Sequence, residues 1–393
     1  MTDPIPSNQD IALYVHWPFC ASKCPYCDFN SHVVDSVDPK IWCSAIITEL
    51  QNQAKRIPKR RLQSIFFGGG TPSLMEPETV ATIISHAKRL WKPKNRLEIT
   101  LEANPTSVDA YKFEGFRKAG ITRLSIGIQS LDQHQLEFLG RKHSAEEGRT
   151  AIHLAQSFFD RISIDMIYAL PNQSRKEWEI ELSGALELIN NAHNQHISCY
   201  QLTIEPNTPF EKSYDQGKIL LPPENKSIDL YETTGEILAK HKIVQYEISN
   251  YATAKNECQH NVHIWSGGEY VGVGPGAHGR ITINDEMTAT HCIKPPFQWL
   301  KQVHAIGHGK KEEYNVAKID RAKELVILGL RLNEGFNLEH IENIGQRDKY
   351  DIISQINIQY LEDGGLIKQE NNSIKATRSG RLLINELIKQ IIR

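Results

Sequence analysis

The sequence predicts an α/β fold: an open (partial) TIM-type barrel of about six β/α units, with a small α+β winged-helix-like C-terminal domain. Two observations carry that expectation. Up to residue 205, six short apolar runs end at or near Gly, Pro or polar turn residues, and helical patterns separate them. From residue 320 the pattern runs helix, helix, hairpin, helix. Repeated strand–helix units give parallel strands joined by crossovers, and such sheets collect their function at the strands' C-terminal ends.

Taken in order, the first strand is Ile11–His16. The second, Ser64–Phe67, runs into Gly68-Gly69-Gly70. The third, Leu97–Ala103, meets Asn104-Pro105. The fourth, Arg123–Gln129, follows Gly120. The fifth, Ile162–Leu170, stops at Pro171, and the sixth, Ile197–Ile204, stops before Pro206. Ile41, Ala45, Ile46 and Leu50 recur at helical spacing, as do Val80, Ile83, Ile84 and Ala87. Trp178, Leu182 and Leu186 mark a third helix.

Composition shifts divide the chain into residues 1–205, a barrel core, 206–312, its continuation, and 313–393, the C-terminal module. The continuation offers a helix around Ile228–Leu238, a strand near Val244–Ile248 and a Gly- and His-rich stretch to Gly279. A Lys/Glu-rich loop, Lys310–Glu313, closes it. In the module, Arg321–Leu332 and Tyr350–Leu361 read as helices. Leu366–Lys368 and Ser373–Ala376 read as a hairpin across Asn371-Asn372, and Thr377 or Ser379 caps a final helix to Ile392.

Lys and Arg number 45 and Asp and Glu 47, a net charge of −2, which argues against a polyanion-binding surface spread over the whole chain. Residues 320–393 hold 11 basic and 11 acidic residues, so the module is a poor candidate for nucleic acid. Met1–Asp10 is polar and has no apolar core of a secretory signal, and no apolar run approaches membrane-spanning length. A reduced, cytoplasmic protein is expected.

Seven cysteines cannot all pair, and three of them lie within eight residues: Cys20, Cys24 and Cys27, spaced C-x3-C-x2-C directly after the first strand. Three thiolates so close suit a metal or a cluster. A zinc site would need a fourth ligand, for which Asp28, His32 and Cys43 are the local candidates. A cubane iron–sulfur cluster with three cysteines would leave one iron open.

Each later strand also ends in polar or glycine residues suited to a ligand. Gly68-Gly69-Gly70-Thr71-Pro72 lets backbone approach a ligand closely. Glu102 and Gln129 end the third and fourth strands, Arg141 follows, and Asp165 lies in the fifth. Carboxylates accept from ribose hydroxyls or ammonium, and Arg clamps a carboxylate.

The three-cysteine loop after the first strand of a β/α repeat resembles the radical S-adenosylmethionine (SAM) superfamily. That resemblance implies a [4Fe-4S] cluster on Cys20, Cys24 and Cys27. SAM would chelate the open iron and be cleaved to a 5′-deoxyadenosyl radical. The segments YVHWPFCASKCPYCDF, FFGGGTPS, LEANP, SIGIQSLD, LGRKHS and IDMIYALPNQ narrow it to the oxygen-independent coproporphyrinogen III oxidase family. The family's SAM contacts then fall on Tyr14, Gly69, Gly70, Thr71, Glu102, Gln129, Arg141 and Asp165.

Two branches of that family differ. The oxidases carry a fourth cysteine in the cluster loop where this chain has Phe29, and a long N-terminal extension where this chain has about ten residues before the first strand. Oxidase activity is therefore not expected, though it stays the alternative. The other branch consists of heme chaperones, and this chain is similar to it in Tyr246–Ala252, in Gly272–Gly279 and in an H-N-x-x-Y-W motif. Here the motif reads His260-Asn261-Val262-His263-Ile264-Trp265, with Ile264 replacing Tyr. The resemblance implies that heme is a ligand, with His260 the candidate axial residue and His263, Cys258 and His278 further ones. Its partners would be heme-acceptor proteins, with peripheral membrane contact only through them and no nucleic acid.

Overall fold

The structure is a computed structural model and describes residues 9–189 and 195–393. The first eight residues, and so most of the polar N-terminal stretch, lie outside the described residues. The strands of the main sheet are numbered here in chain order. Six are parallel: β1 (Asp10–Trp17), β2 (Arg61–Gly69), β3 (Lys92–Ala103), β4 (Arg123–Gln129), β5 (Ile162–Tyr168) and β6 (Gln195–Gln201). They follow one another in spatial order, with helices such as Pro39–Arg56, Pro77–Leu90 and Arg175–Ile189 as crossovers. The predicted open α/β barrel is thus present.

Burial explains why these runs are strands. Ile11, Leu13 and Val15 of β1 are fully buried, as are Leu62, Ile65 and Phe67 of β2. A parallel strand covered on both faces needs such near-continuous apolar sequence. The crossover helices cap themselves by side chain: Asp38, Asp109 and Ser144 each accept from backbone N–H groups at their helix starts.

The sheet continues past the six units in both directions. Beyond β6 lie β7 (Val244–Gln245) and β8 (Asn250–Ala252), antiparallel. On the other side β9 (Glu269–Val273) runs parallel to β1. A meander then follows through β10 (His278–Ile283), β11 (Glu286–Cys292) and β12 (Lys310–Asn315). The sheet order is β12-β11-β10-β9-β1-β2-β3-β4-β5-β6-β8-β7, and its two ends do not meet. Buried Glu49 of helix Pro39–Arg56 ties this extension down, accepting from Gly274 N at 2.8 Å, Gly309 N at 2.6 Å and Trp299 Nε1 at 3.1 Å.

Several expectations need correction. Lys310–Glu313 is not a loop but the start of β12; two Lys followed by two Glu on an exposed edge strand carry no apolar signal. The strand near Val244–Ile248 is confined to Val244–Gln245, because Tyr246 N turns back to Asn250 O at 3.0 Å. Tyr350–Leu361 is two helices, Lys349–Ile352 and Gln355–Asp363, broken where Ser354 N donates to Ile391 O. The final helix is likewise split at Leu383, into Arg378–Leu382 and Ile384–Ile391, and Thr377, not Ser379, is the cap.

The C-terminal module packs helix Lys318–Arg331 and those that follow it around its own apolar core, which includes Val326, Leu330, Ile341, Ile352 and Ile374. Its three-stranded sheet contains the expected hairpin, Ile367–Glu370 with Ser373–Ala376. Within helix Lys318–Arg331, Leu325, Val326, Gly329 and Leu330 are buried and Ile327 is exposed. No helix among the described residues is long and apolar enough to cross a membrane.

Candidate cluster and cofactor site

The C-terminal ends of β1 to β4 gather most of the predicted residues. The cysteine loop leaves β1 at Trp17 and is pinned by backbone bonds. Gly70 N donates to Trp17 O at 2.7 Å, Thr71 N to Phe19 O at 2.8 Å, and Phe210 N to Pro25 O at 3.0 Å. Glycine is required in the facing loop. Gly69 has φ +115°, and a Cβ there would stand 2.8 Å from Trp17 O. A Cβ on Gly70 would stand 2.7 Å from Phe19 O and 3.0 Å from Cys20 Sγ.

Two predicted residues touch the thiols. Thr71 Oγ1 donates to Cys20 Sγ at 3.2 Å, and Arg141 Nη1 to Cys24 Sγ at 3.5 Å. Arg141 Nη2 also donates to Gly127 O at 2.7 Å, while its Nε is buried without a partner. Burial pushes the Cys20 and Cys27 thiols up, which favours their protonated form unless a metal binds them. All seven cysteines are free thiols.

Gln129 sits in left-handed backbone, φ +69°, at a bulge where β4 slips against β5. A non-glycine residue there is strained, and such strain concentrates at ligand sites. Glu102 Oε2 accepts from Gly69 N at 3.3 Å. Both oxygens of Asp165 lie 3.2 Å from the Ser125 hydroxyl. The Ser198 side chain bonds Asp165 as well, and the Arg123 and Arg141 charges also favour its ionised form.

Glu102 and Asp165 share a chamber of about 280 Å³ inside the barrel with Tyr14, Arg123 and Tyr200. Burial, then the Asp165 charge, raises the Glu102 pKa to about 8. Burial also raises Asp165. Burial and then Glu102 push the Tyr14 phenol up, and its hydroxyl lies 3.1 Å from His16 Nδ1. Two carboxyl groups whose pKa values burial raises in one chamber make a site that gains from an incoming cation.

His260 lines the same chamber. It is 4 % exposed, its Nδ1 is 2.9 Å from Ser64 Oγ, and its ring lies 5.0 Å from that of Phe66. Burial lowers its pKa to about 3, so the imidazole is neutral. Ser64 engages Nδ1 of His260, which leaves Nε2 as the nitrogen for a metal. Ile264, in the Tyr position of the motif, lines the chamber, whereas Trp265 faces away under the Arg331 guanidinium at 4.5 Å. His263 bonds Glu269 O, and Cys258 is buried near Glu98.

Sequence reasoning missed Arg123, Ser125, Ser198, Tyr200 and Asn250 as chamber residues. The period-2 alternation that aligns Arg123 and Ser125 with Gln129 on β4 was the available signal.

Family comparisons fit this geometry. The Radical SAM superfamily model matches residues 14–182, and the HemN C-terminal domain model matches 316–383. The heme chaperone HemW of Haemophilus influenzae is 38 % identical, covering 98 % of both chains. The chain belongs to the HemW family of radical SAM proteins. HemW of Escherichia coli is 32 % identical over 96 % of this chain and 97 % of its own. The bovine mitochondrial radical S-adenosyl methionine domain-containing protein 1 is 33 % identical, over 99 % of this chain and 89 % of its own. The solved coproporphyrinogen III oxidase HemN of E. coli shares the fold, with a TM-score of 0.79 at 22 % identity, covering 98 % of this chain and 90 % of its own. Membership in the superfamily implies a [4Fe-4S] cluster and SAM.

Proposed function

We propose that this chain is a cytoplasmic heme chaperone that binds a [4Fe-4S] cluster, SAM and heme, and passes heme to acceptor proteins. In this reading Cys20, Cys24 and Cys27 hold the cluster. Tyr14, Gly69, Gly70, Thr71, Glu102, Gln129, Arg141 and Asp165 hold SAM. The observation that carries it is the meeting of Thr71 and Arg141 with the thiols of Cys20 and Cys24.

The donor set fits the group. Three soft thiolates suit iron–sulfur. Phe29, in the place of the oxidases' fourth cysteine, is 58 % exposed and offers no ligand. When bound, the cluster supplies an open iron position and one-electron chemistry. The chain's own part is to position SAM. The unpartnered Arg141 Nε is a donor for its carboxylate, Glu102 and Asp165 draw its positive groups, and Gly69 and Gly70 let it approach the backbone. His260 enters as a neutral chamber residue and the candidate axial ligand for heme iron.

Anaerobic reconstitution followed by hemin titration tests the reading. The expected result is about four irons and four sulfides per chain, a Soret shift, and heme transfer lost when the three cysteines become alanine. No Soret change in the reconstituted chain overturns it. The chamber favours a second reading, radical chemistry on a small substrate. It predicts substrate-dependent release of 5′-deoxyadenosine.

A further inference from the structure

We propose that heme docks on the outer sheet extension, its iron held by the imidazole of His291 beside His278. The inference rests on the heme-chaperone reading and names where on the chain the heme sits. His278, His291 and Glu312 stand directly opposite one another on β10, β11 and β12. Cross-strand partners project to one face, so the three form a row. The two imidazole rings lie 4.0 Å apart between centroids at 34°. Glu312 Oε2 is 3.7 Å from His291 Nδ1, and the Tyr314 ring stands edge-on to His291 at 6.0 Å. His278, Glu312 and Tyr314 are exposed, and the His291 side chain is 28 % exposed.

The Glu312 carboxylate stands on the Nδ1 side of His291, which leaves Nε2 for a metal. No three His, Cys, Asp or Glu side chains converge on one ion among the described residues, so the row is a poor cage for a bare cation. Heme brings four nitrogens of its own and needs one axial ligand from the protein. His278 and Tyr314 present rings to a porphyrin. Arg280, fixed by Glu324 at 3.1 Å, and Lys294 are the cations that face His278, and they match two propionates. Partial burial, then His291 and these cations with His16, lower the His278 pKa to about 4, so that ring adds no charge of its own. The site lies beside the cysteine loop, because Asn30 donates to Pro275 O and Lys294 O, each at 2.9 Å. One exposed axial ligand leaves the sixth iron position open. An acceptor's ligand can bond there, after which the bond to His291 breaks and the heme leaves.

Hemin titration of the full, anaerobically reconstituted chain tests this by Soret absorbance. His291→Gly is expected to weaken heme binding at least about 10-fold and Glu312→Gln by roughly 10-fold. Free imidazole should restore the wild-type spectrum to His291→Gly, which a variant that merely unfolds would not show. Unchanged affinity and spectrum in His291→Gly, loss of binding only in His260→Ala, or no imidazole rescue overturns the site while leaving the chaperone reading intact. No heme binding by the wild-type chain overturns that reading and the site with it.

Discussion

Thr71 Oγ1 donates to Cys20 Sγ across 3.2 Å, joining the glycine loop after β2 to the cysteine loop after β1. A hydroxyl donor stabilises a thiolate over a thiol, so this bond prepares Cys20 to bind metal. Thr71→Val keeps the shape and removes the donor. Its fold stability should change by no more than about 1 kcal/mol, the worth of one hydrogen bond. Iron and sulfide retention after anaerobic reconstitution should fall, and Thr71→Ser should restore it.

Gly70→Ala tests the steric side of the same junction. The added Cβ meets backbone of Phe19, which cannot rotate away, so the two loops must separate. The expected cost is about 1–3 kcal/mol in chemical denaturation, together with low cluster content. A variant with normal cluster content would show that the junction tolerates separation.

These local features were legible in the sequence because cysteine spacing, a glycine triplet and strand-end carboxylates occur within short stretches. The parallel units were legible for a related reason: each buried strand is a continuous apolar run. What stayed hidden depends on pairing between distant segments. Ser64 meets His260 from 196 residues away. Glu312 reaches His291 only because charged Lys310–Asn315 forms an edge strand, which nothing in its hydropathy announces. The burial of His260 likewise depends on helix Gln259–Trp265 packing against distant strands.

The raised pKa of Glu102 gives a pH test. An unfolded Glu titrates near 4.5, while this one titrates near 8 in the folded chain. The folded chain holds the proton more tightly, so the stabilisation is full below pH 4.5 and is lost as pH rises toward 8. Glu102→Gln should flatten that slope. Above pH 8 the cofactor-free variant should be more stable than wild type by about 1–3 kcal/mol, allowing for partial exposure. Thermal melts from pH 5 to 9 measure this, and a variant less stable at pH 9 would contradict the burial argument.

Glu49 carries the outer sheet. Truncating it to alanine leaves Gly274 N, Gly309 N and Trp299 Nε1 buried without an acceptor. Orphaned buried donors cost about 1–3 kcal/mol each, not fully additively, so a loss of about 3–5 kcal/mol is expected in urea unfolding. Glu49→Gln keeps an acceptor for part of the network and should lose less.

Arg141 separates SAM capture from cluster capture. One guanidinium nitrogen contacts Cys24, another is fixed by Gly127 O, and Nε is buried with nothing to bond. A buried donor without a partner is costly, and a ligand acceptor relieves it. Arg141→Lys keeps the charge but loses the planar fork that can hold sulfur, backbone and carboxylate together. Charge-assisted hydrogen bonds are worth about 1.5–3 kcal/mol, so SAM affinity should fall roughly 10- to 100-fold by calorimetry. Iron content should fall far less, because three cysteines remain to hold the cluster. Equal losses of iron and SAM would instead mean that Arg141 serves the cysteine loop alone, and that the SAM carboxylate is held elsewhere in the chamber.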